Sequence, residues 1–131
     1  MRIMLDTNVL ISALLFPSRH MNYLIWKLTS EHTIVLSSFV VEELHKVVQK
    51  KFPAKVNAVD QLLENMSYEL VYTPKKMEPD LVEIRDMNDY PVIYTAIKEE
   101  VDVLITGDKD FCDLGLNEPV IVTPAEFLAK Y

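Results

Sequence analysis

The sequence predicts one α/β domain over residues 1–131: a parallel central sheet of about five strands, flanked by helices on both faces. Two observations carry this. Short apolar, β-branched runs alternate along the chain with stretches of helical spacing, an alternation that builds a parallel sheet covered on each side. No repeat, linker or low-complexity segment divides the 131 residues, which suffice for one domain with a real core.

Met1-Arg2-Ile3-Met4-Leu5 is a buried strand that stops on Asp6. Asp6, Thr7 and Asn8 are cap-type residues, and Val9 to Leu15 behind them starts a helix. Phe16-Pro17-Ser18-Arg19 is a loop. His20 to Ser30 resumes as helix, with Met21, Leu24, Ile25 and Leu28 on one face; Tyr23 and Trp26 flank that face and are expected in the core. Thr33 to Leu36 is the second strand, and Ser37 or Ser38 caps the helix after it. That helix places Val40, Val41, Leu44, Val47 and Val48 on one side and ends at Phe52-Pro53. A further helix from about Pro53 to Met66 aligns Val56, Val59, Leu62, Leu63 and Met66.

Tyr68 to Tyr72 alternates into a third strand. Lys75 to Asn88 carries the weakest pattern, with a short helix expected around Asp80 to Arg85. Asp89-Tyr90-Pro91 opens a clearer helix, which turns Val92, Ile93, Ala96 and Ile97 inward. Val103 to Thr106 is the fourth strand, and Gly107-Asp108-Lys109-Asp110 leads into a short helical stretch. Pro119 to Val122 is the fifth strand, and Thr123-Pro124 caps a closing helix, Ala125 to Tyr131.

Composition narrows the function. No apolar run approaches the roughly 20 residues of a membrane span, and Asp6 interrupts the first one before a secretory pattern can form. The single cysteine, Cys112, excludes an internal disulfide, fits a reducing, cytoplasmic compartment and reads as packing rather than a reactive thiol. A net charge of −7 argues against a broad nucleic-acid-coating surface. The densest basic stretch, Lys46, Lys50, Lys51 and Lys55, with Lys75-Lys76 later, reads as a solvated face.

The acids are placed more pointedly. Asp6 ends the first strand, Glu42 and Glu43 lie just after the second, Asp89 starts the helix leading into the fourth, and Asp108 follows the fourth, with Asp110 beyond. Each alone is a plausible cap or a favourable charge at a helix start. Gathered at the carboxyl ends of strands, where α/β sheets bind ligands, they repel one another unless a cation holds them. Hard oxygen donors without His or Cys point to Mg²⁺ or Mn²⁺, and such ions serve phosphodiester chemistry by activating a water and stabilising the leaving oxygen. Asn8 and Thr106 are uncharged neighbours suited to orienting a ligand or a water. Arg19 and Lys109 are the cations expected nearest the acids.

Leu5-Asp6-Thr7-Asn8, Ser37 through Glu42-Glu43-Leu44, Asp89 through Ile93 and Ala96, and Thr106-Gly107-Asp108-Lys109-Asp110 resemble the PIN domain, in order, from about Met1 to Asp113. The chain is especially similar to single-domain PIN proteins of the VapC-like toxin type. The resemblance implies a Mg²⁺- or Mn²⁺-dependent ribonuclease, an antitoxin protein as partner, and frequent homodimers. Motif by motif it makes Asp6, Glu43, Asp89 and Asp108 the catalytic and metal-binding acids, with Asp110 auxiliary. Glu43 is preferred to Glu42 because Leu44 follows it directly, as in the family pattern.

Other readings lose ground. Haloacid-dehalogenase phosphatases want an aspartate where Asn8 stands, and response-regulator receivers want an acid pair at the first strand. Two glycines, Gly107 and Gly115, exclude a Gly-rich dinucleotide turn. His20, His32 and His45 read as surface or boundary residues, and the Glu42/His45 pair does not define a zinc site. The alternative from another class is a PIN-fold module that binds nucleic acid or a protein with little catalysis. A structure-specific DNA nuclease would share the acids, but the chain has little spare length for gripping branched DNA.

Overall fold

A computed structural model describes residues 1–112 and 114–131; the Cys112 side chain, and with it the packing expected of that thiol, lies outside the described residues. The strands are β1 (Arg2–Leu5), β2 (Thr33–Ser37), β3 (Glu69–Val71), β4 (Val103–Ile105) and β5 (Val120–Val122). They form one parallel sheet in the order β3-β2-β1-β4-β5. The helices are α1 (Thr7–Leu15), α2 (Arg19–Glu31), α3 (Ser38–Lys51), α4 (Val56–Asn65), α5 (Tyr90–Lys98), α6 (Lys109–Cys112) and α7 (Pro124–Lys130). A 3-10 turn, Pro53–Lys55, opens the α4 region, so the single helix expected from Pro53 begins one turn later.

The chain first walks outward from β1 through β2 to β3, then returns to the other side of β1 for β4 and β5. Right-handed crossovers taken in opposite directions put helices on both faces of the sheet. The strands are short but buried: Ile3, Met4, Leu5, Ile34, Val35, Leu36, Val103, Leu104 and Ile105 are at most 1% exposed. Val40, Leu44 and Val48 bring one stripe of α3 against this core, spaced by four as a helix requires. Fully buried Phe127 seals it from α7, whose start carries a reciprocal Thr123/Glu126 capping box.

Three expectations fail. Tyr23 and Trp26 do not enter the core; they stack on each other on the outside of α2, 49% and 56% exposed, because Leu24 and Leu28 already fill the buried stripe. Leu62 likewise points outward at 43% exposure, since Val59 and Leu63 take the inner face of α4. No helix forms over residues 80–85. Backbone groups in and just before it are held by α5 instead: Glu78 N donates to the Tyr94 hydroxyl at 3.1 Å, Leu81 N donates to that of Tyr90 at 3.2 Å, and Tyr90 donates in turn to the Glu78 carbonyl. Among the described residues no helix is long and apolar enough to cross a membrane.

Candidate metal centre

Strand order reverses between β1 and β4, and at such a switch point the carboxyl ends of the strands leave a crevice for ligands. The ladder continues one residue past each strand here. Asp6 N donates to the Ile105 carbonyl at 3.1 Å, and Thr106 N to that of Val122 at 2.9 Å. Asp6 and Thr106 are thereby placed side by side by backbone alone. Thr106 Oγ1 then donates to Asp6 Oδ2 at 2.8 Å and accepts from Asp108 N at 3.0 Å. Asp108 Oδ1 accepts from Asp110 N at 2.9 Å, which starts the turn into α6. One fully buried hydroxyl thus ties the first acid to the last.

Asp6 does cap α1, as its simplest reading requires: Oδ1 accepts from Thr7 N at 2.7 Å. Capping uses one oxygen and leaves the carboxylate in the crevice. Burial pushes the Asp6 carboxyl above its ordinary range, the Thr106 and Thr7 bonds oppose this, and the charges of Glu43 and Asp108 reinforce it. Glu43 is therefore the acid of the doublet whose charge reaches Asp6; it is half-buried on α3, whereas Glu42 is exposed. Both line a small recess with Phe39 and Lys46.

Asp89 occupies the N-cap position of α5, yet its side chain makes no capping hydrogen bond among the described residues. One carboxylate oxygen from each of Asp89, Asp108 and Asp110 lies within 4.8 Å of the others. Burial, the nearness of the Asp108 side chain, and the charges of Asp108, Asp86 and Asp6 push Asp89 up to about 7. Acids held this close without a cation keep a proton near neutrality. Asn8 is exposed beside Gly107, in a shallow recess with Ser12, Met21 and Pro124.

Two groups escaped the sequence reading. Arg85 Nη1 stands 3.8 Å from Asp110 Oδ1; Arg19 and Lys109, exposed like Arg85, form no ion pair with the acids among the described residues. Its only sequence signal is its place four residues before Asp89, in the stretch with the least pattern. Thr7 Oγ1 is buried with no hydrogen-bond partner, the one such side-chain atom among the described residues. Its neighbour in sequence is the capping Asp6, which disguises it as an ordinary cap-region residue.

The residues fit a hard divalent cation. The donors are carboxylate and hydroxyl oxygens, the repulsion among Asp89, Asp108 and Asp6 is what a cation would relieve, and an orphaned hydroxyl lies next to the first acid. Imidazole is absent from the group of acids, and His45 is engaged elsewhere, 3.0 Å from Asp60.

The PIN domain family model matches residues 2–110, a span that takes in all these acids. The chain belongs to the PIN domain family. No curated protein is significantly similar to this PIN domain in sequence. Solved structures share its fold. VapBC2 from Rickettsia felis, bound to a DNA fragment from their promoter, superposes with a TM-score of 0.73 at 22% identity, covering 93% of this chain and 97% of that one. FitAcB from Neisseria gonorrhoeae gives 0.68 at 21% identity, covering 94% and 98%. VapC20 from Mycobacterium tuberculosis, a sarcin-ricin loop cleaving toxin, gives 0.63 at 12% identity, covering 88% and 97%.

Proposed function

We propose that this PIN domain is a Mg²⁺- or Mn²⁺-dependent ribonuclease, the toxin of a toxin–antitoxin pair, acting in the cytoplasm. The observation that carries the reading is the convergence of Asp89, Asp108 and Asp110 within 4.8 Å, with Asp6 joined to Asp108 through Thr106. Asp6, Glu43, Asp89 and Asp108 are the acids that hold the ion. When bound, the ion offsets their charge and lowers the pKa of a water for in-line attack on the RNA phosphodiester.

The chain's own residues supply position. The two hydrogen bonds on Asp6 fix its carboxylate, so little ordering is left for the moment of reaction. Thr106 keeps Asp6 and Asp108 in register. Asp89 holds a proton near neutrality that it would have to lose to ligate a cation, so metal loading would be proton-linked. Asp110 is an auxiliary acid at the rim, Asn8 is placed to orient substrate or water, and Glu42, exposed beside Glu43, is the auxiliary member of the doublet.

A protein partner finds support on another face. Ala13, Leu14, Pro17, Ile25, Leu62 and Met66 line an apolar groove of about 560 Å³ between α1, α2 and α4. We assign this face to an antitoxin-type protein, and homodimerisation is expected of the isolated chain. Light scattering of the purified 15.1 kDa chain should give twice that mass. The function itself is tested by incubating the protein with a varied RNA pool in Mg²⁺, Mn²⁺ or EDTA. Cleavage in either metal that is lost in EDTA and in Asp6→Asn is the expected result. An inert wild type under every condition would leave a binding module.

A further inference from the structure

We propose that Arg85 is the residue that receives the RNA phosphate at the metal centre, trading its contact with Asp110 for a phosphate next to the scissile bond; this rests on the ribonuclease reading above. The structure holds Arg85 from both sides. Upstream, the hydroxyls of Tyr94 and Tyr90, on buried positions of α5, fix the backbone at Glu78 and Leu81. Downstream, Asp86 closes a turn, its side chain accepting from Asn88 N at 2.9 Å and its carbonyl from Asp89 N at 3.0 Å. Asp86, the residue after Arg85, is thereby tied to Asp89 itself. Connections longer than about 12–15 residues without regular structure are uncommon in compact domains, and segment 72–89, which carries Arg85, is one.

The guanidinium is held near the acids but stays in water. Nη1 is 3.8 Å from Asp110 Oδ1, and the side chain is 86% exposed. An exposed ion pair of that kind adds little to stability, so the fold has no need of Arg85 there. Phosphate and carboxylate present similar pairs of oxygens to the guanidinium fork, so exchanging one for the other costs little geometry. The exchange also answers a charge problem. A chain of net charge −7 repels RNA; Lys50, Lys51 and Lys55 lie at the exposed end of α3 and the turn after it, and Lys46 lines the recess with Glu42 and Glu43. Among the described residues, Arg85 is the cation that forms an ion pair with an acid of the Asp89, Asp108 and Asp110 group, through Asp110.

The test is RNA binding and cleavage by the full chain and its Arg85→Ala and Arg85→Lys variants, with a mixed-sequence single-stranded RNA in Mg²⁺. Binding is followed over a KCl series in the Asp6→Asn background, where cleavage is absent. Arg85→Ala should reduce the slope of log K against log salt by about 0.7, the loss of one single-strand phosphate contact. In the active enzyme it should raise KM with kcat nearly unchanged. Arg85→Lys should keep the slope, because a point charge still meets phosphate. An unchanged slope and KM in an enzyme that cleaves would overturn the role of Arg85 and leave the ribonuclease reading intact. So would a fall in kcat alone. A wild type that neither binds nor cleaves RNA overturns both.

Discussion

Thr106 has no charge and yet governs the site, because its hydroxyl donates to Asp6 and accepts from Asp108 N at the same time. Thr106→Val keeps the shape and removes both bonds, leaving a buried carboxylate oxygen and an amide unsatisfied. The expected cost is about 1–3 kcal/mol by denaturant unfolding, with cleavage falling further than stability alone explains; Thr106→Ser should recover both. Asp89 gives a second test through pH. Its carboxyl is raised from 3.8 to about 7, so the folded, metal-free protein binds a proton there that the unfolded chain does not. The group's contribution to stability is therefore full below about 4 and is lost as pH rises through about 7. Asp89→Asn should remove this loss, so that its melting temperature relative to wild type rises between pH 4 and pH 8 in EDTA. A constant difference across that range would contradict the raised Asp89 carboxyl. At this scale the placement of Asp6, Asp89 and Asp108 was legible because each stands next to a strand end or helix start, where position is set by local sequence; Glu43 lies further along, in the second turn of α3. Arg85 and Thr7 were not legible, since an ion pair from an unpatterned segment and an unpartnered hydroxyl leave no periodic trace.

The elements bring these side chains in through their ends. Ser37, the last residue of β2 and fully buried, accepts from Val40 N at 3.2 Å and so begins α3, which carries Glu43. Ser37→Ala should cost about 1 kcal/mol by denaturant unfolding and weaken cleavage by loosening the second acid. A variant as stable and as active as wild type would show that strand and helix fix Glu43 without the cap. Every strand and six of the helices were readable from apolar runs and spacing, because burial imposes both. Side-chain facing at stripe edges was less readable. Tyr23, Trp26 and Leu62 are apolar residues one step from a buried stripe, and which side they take depends on the helix packed opposite, not on their own spacing. The expected helix over residues 80–85 fails for a related reason: tyrosines of α5 capture one backbone group just before it, at Glu78, and one within it, at Leu81.

For the whole molecule, the sheet order β3-β2-β1-β4-β5 is what turns separated acids into one cluster. Alternating strands and helices imply a parallel sheet, but no local pattern states which strands are neighbours, so the meeting of Asp6 with Thr106 and Asp108 is a property of topology. A match to the PIN domain over residues 2–110 agrees with that topology. The acidic balance follows from the same arrangement, since several negative charges are grouped at one edge of the sheet. A cation that binds there should stabilise the fold by mass action, by about 2.7 kcal/mol at a hundred times its Kd.

Calorimetric titration of Mn²⁺ into wild type, Asp6→Asn and Asp89→Asn shows whether these carboxylates form a divalent-cation centre. Wild type should bind saturably, with proton release near pH 6.5 visible as a buffer-dependent heat, and both variants should lose that binding or show it severely weakened. Equal Mn²⁺ binding by all three proteins, or none by wild type, would contradict such a centre.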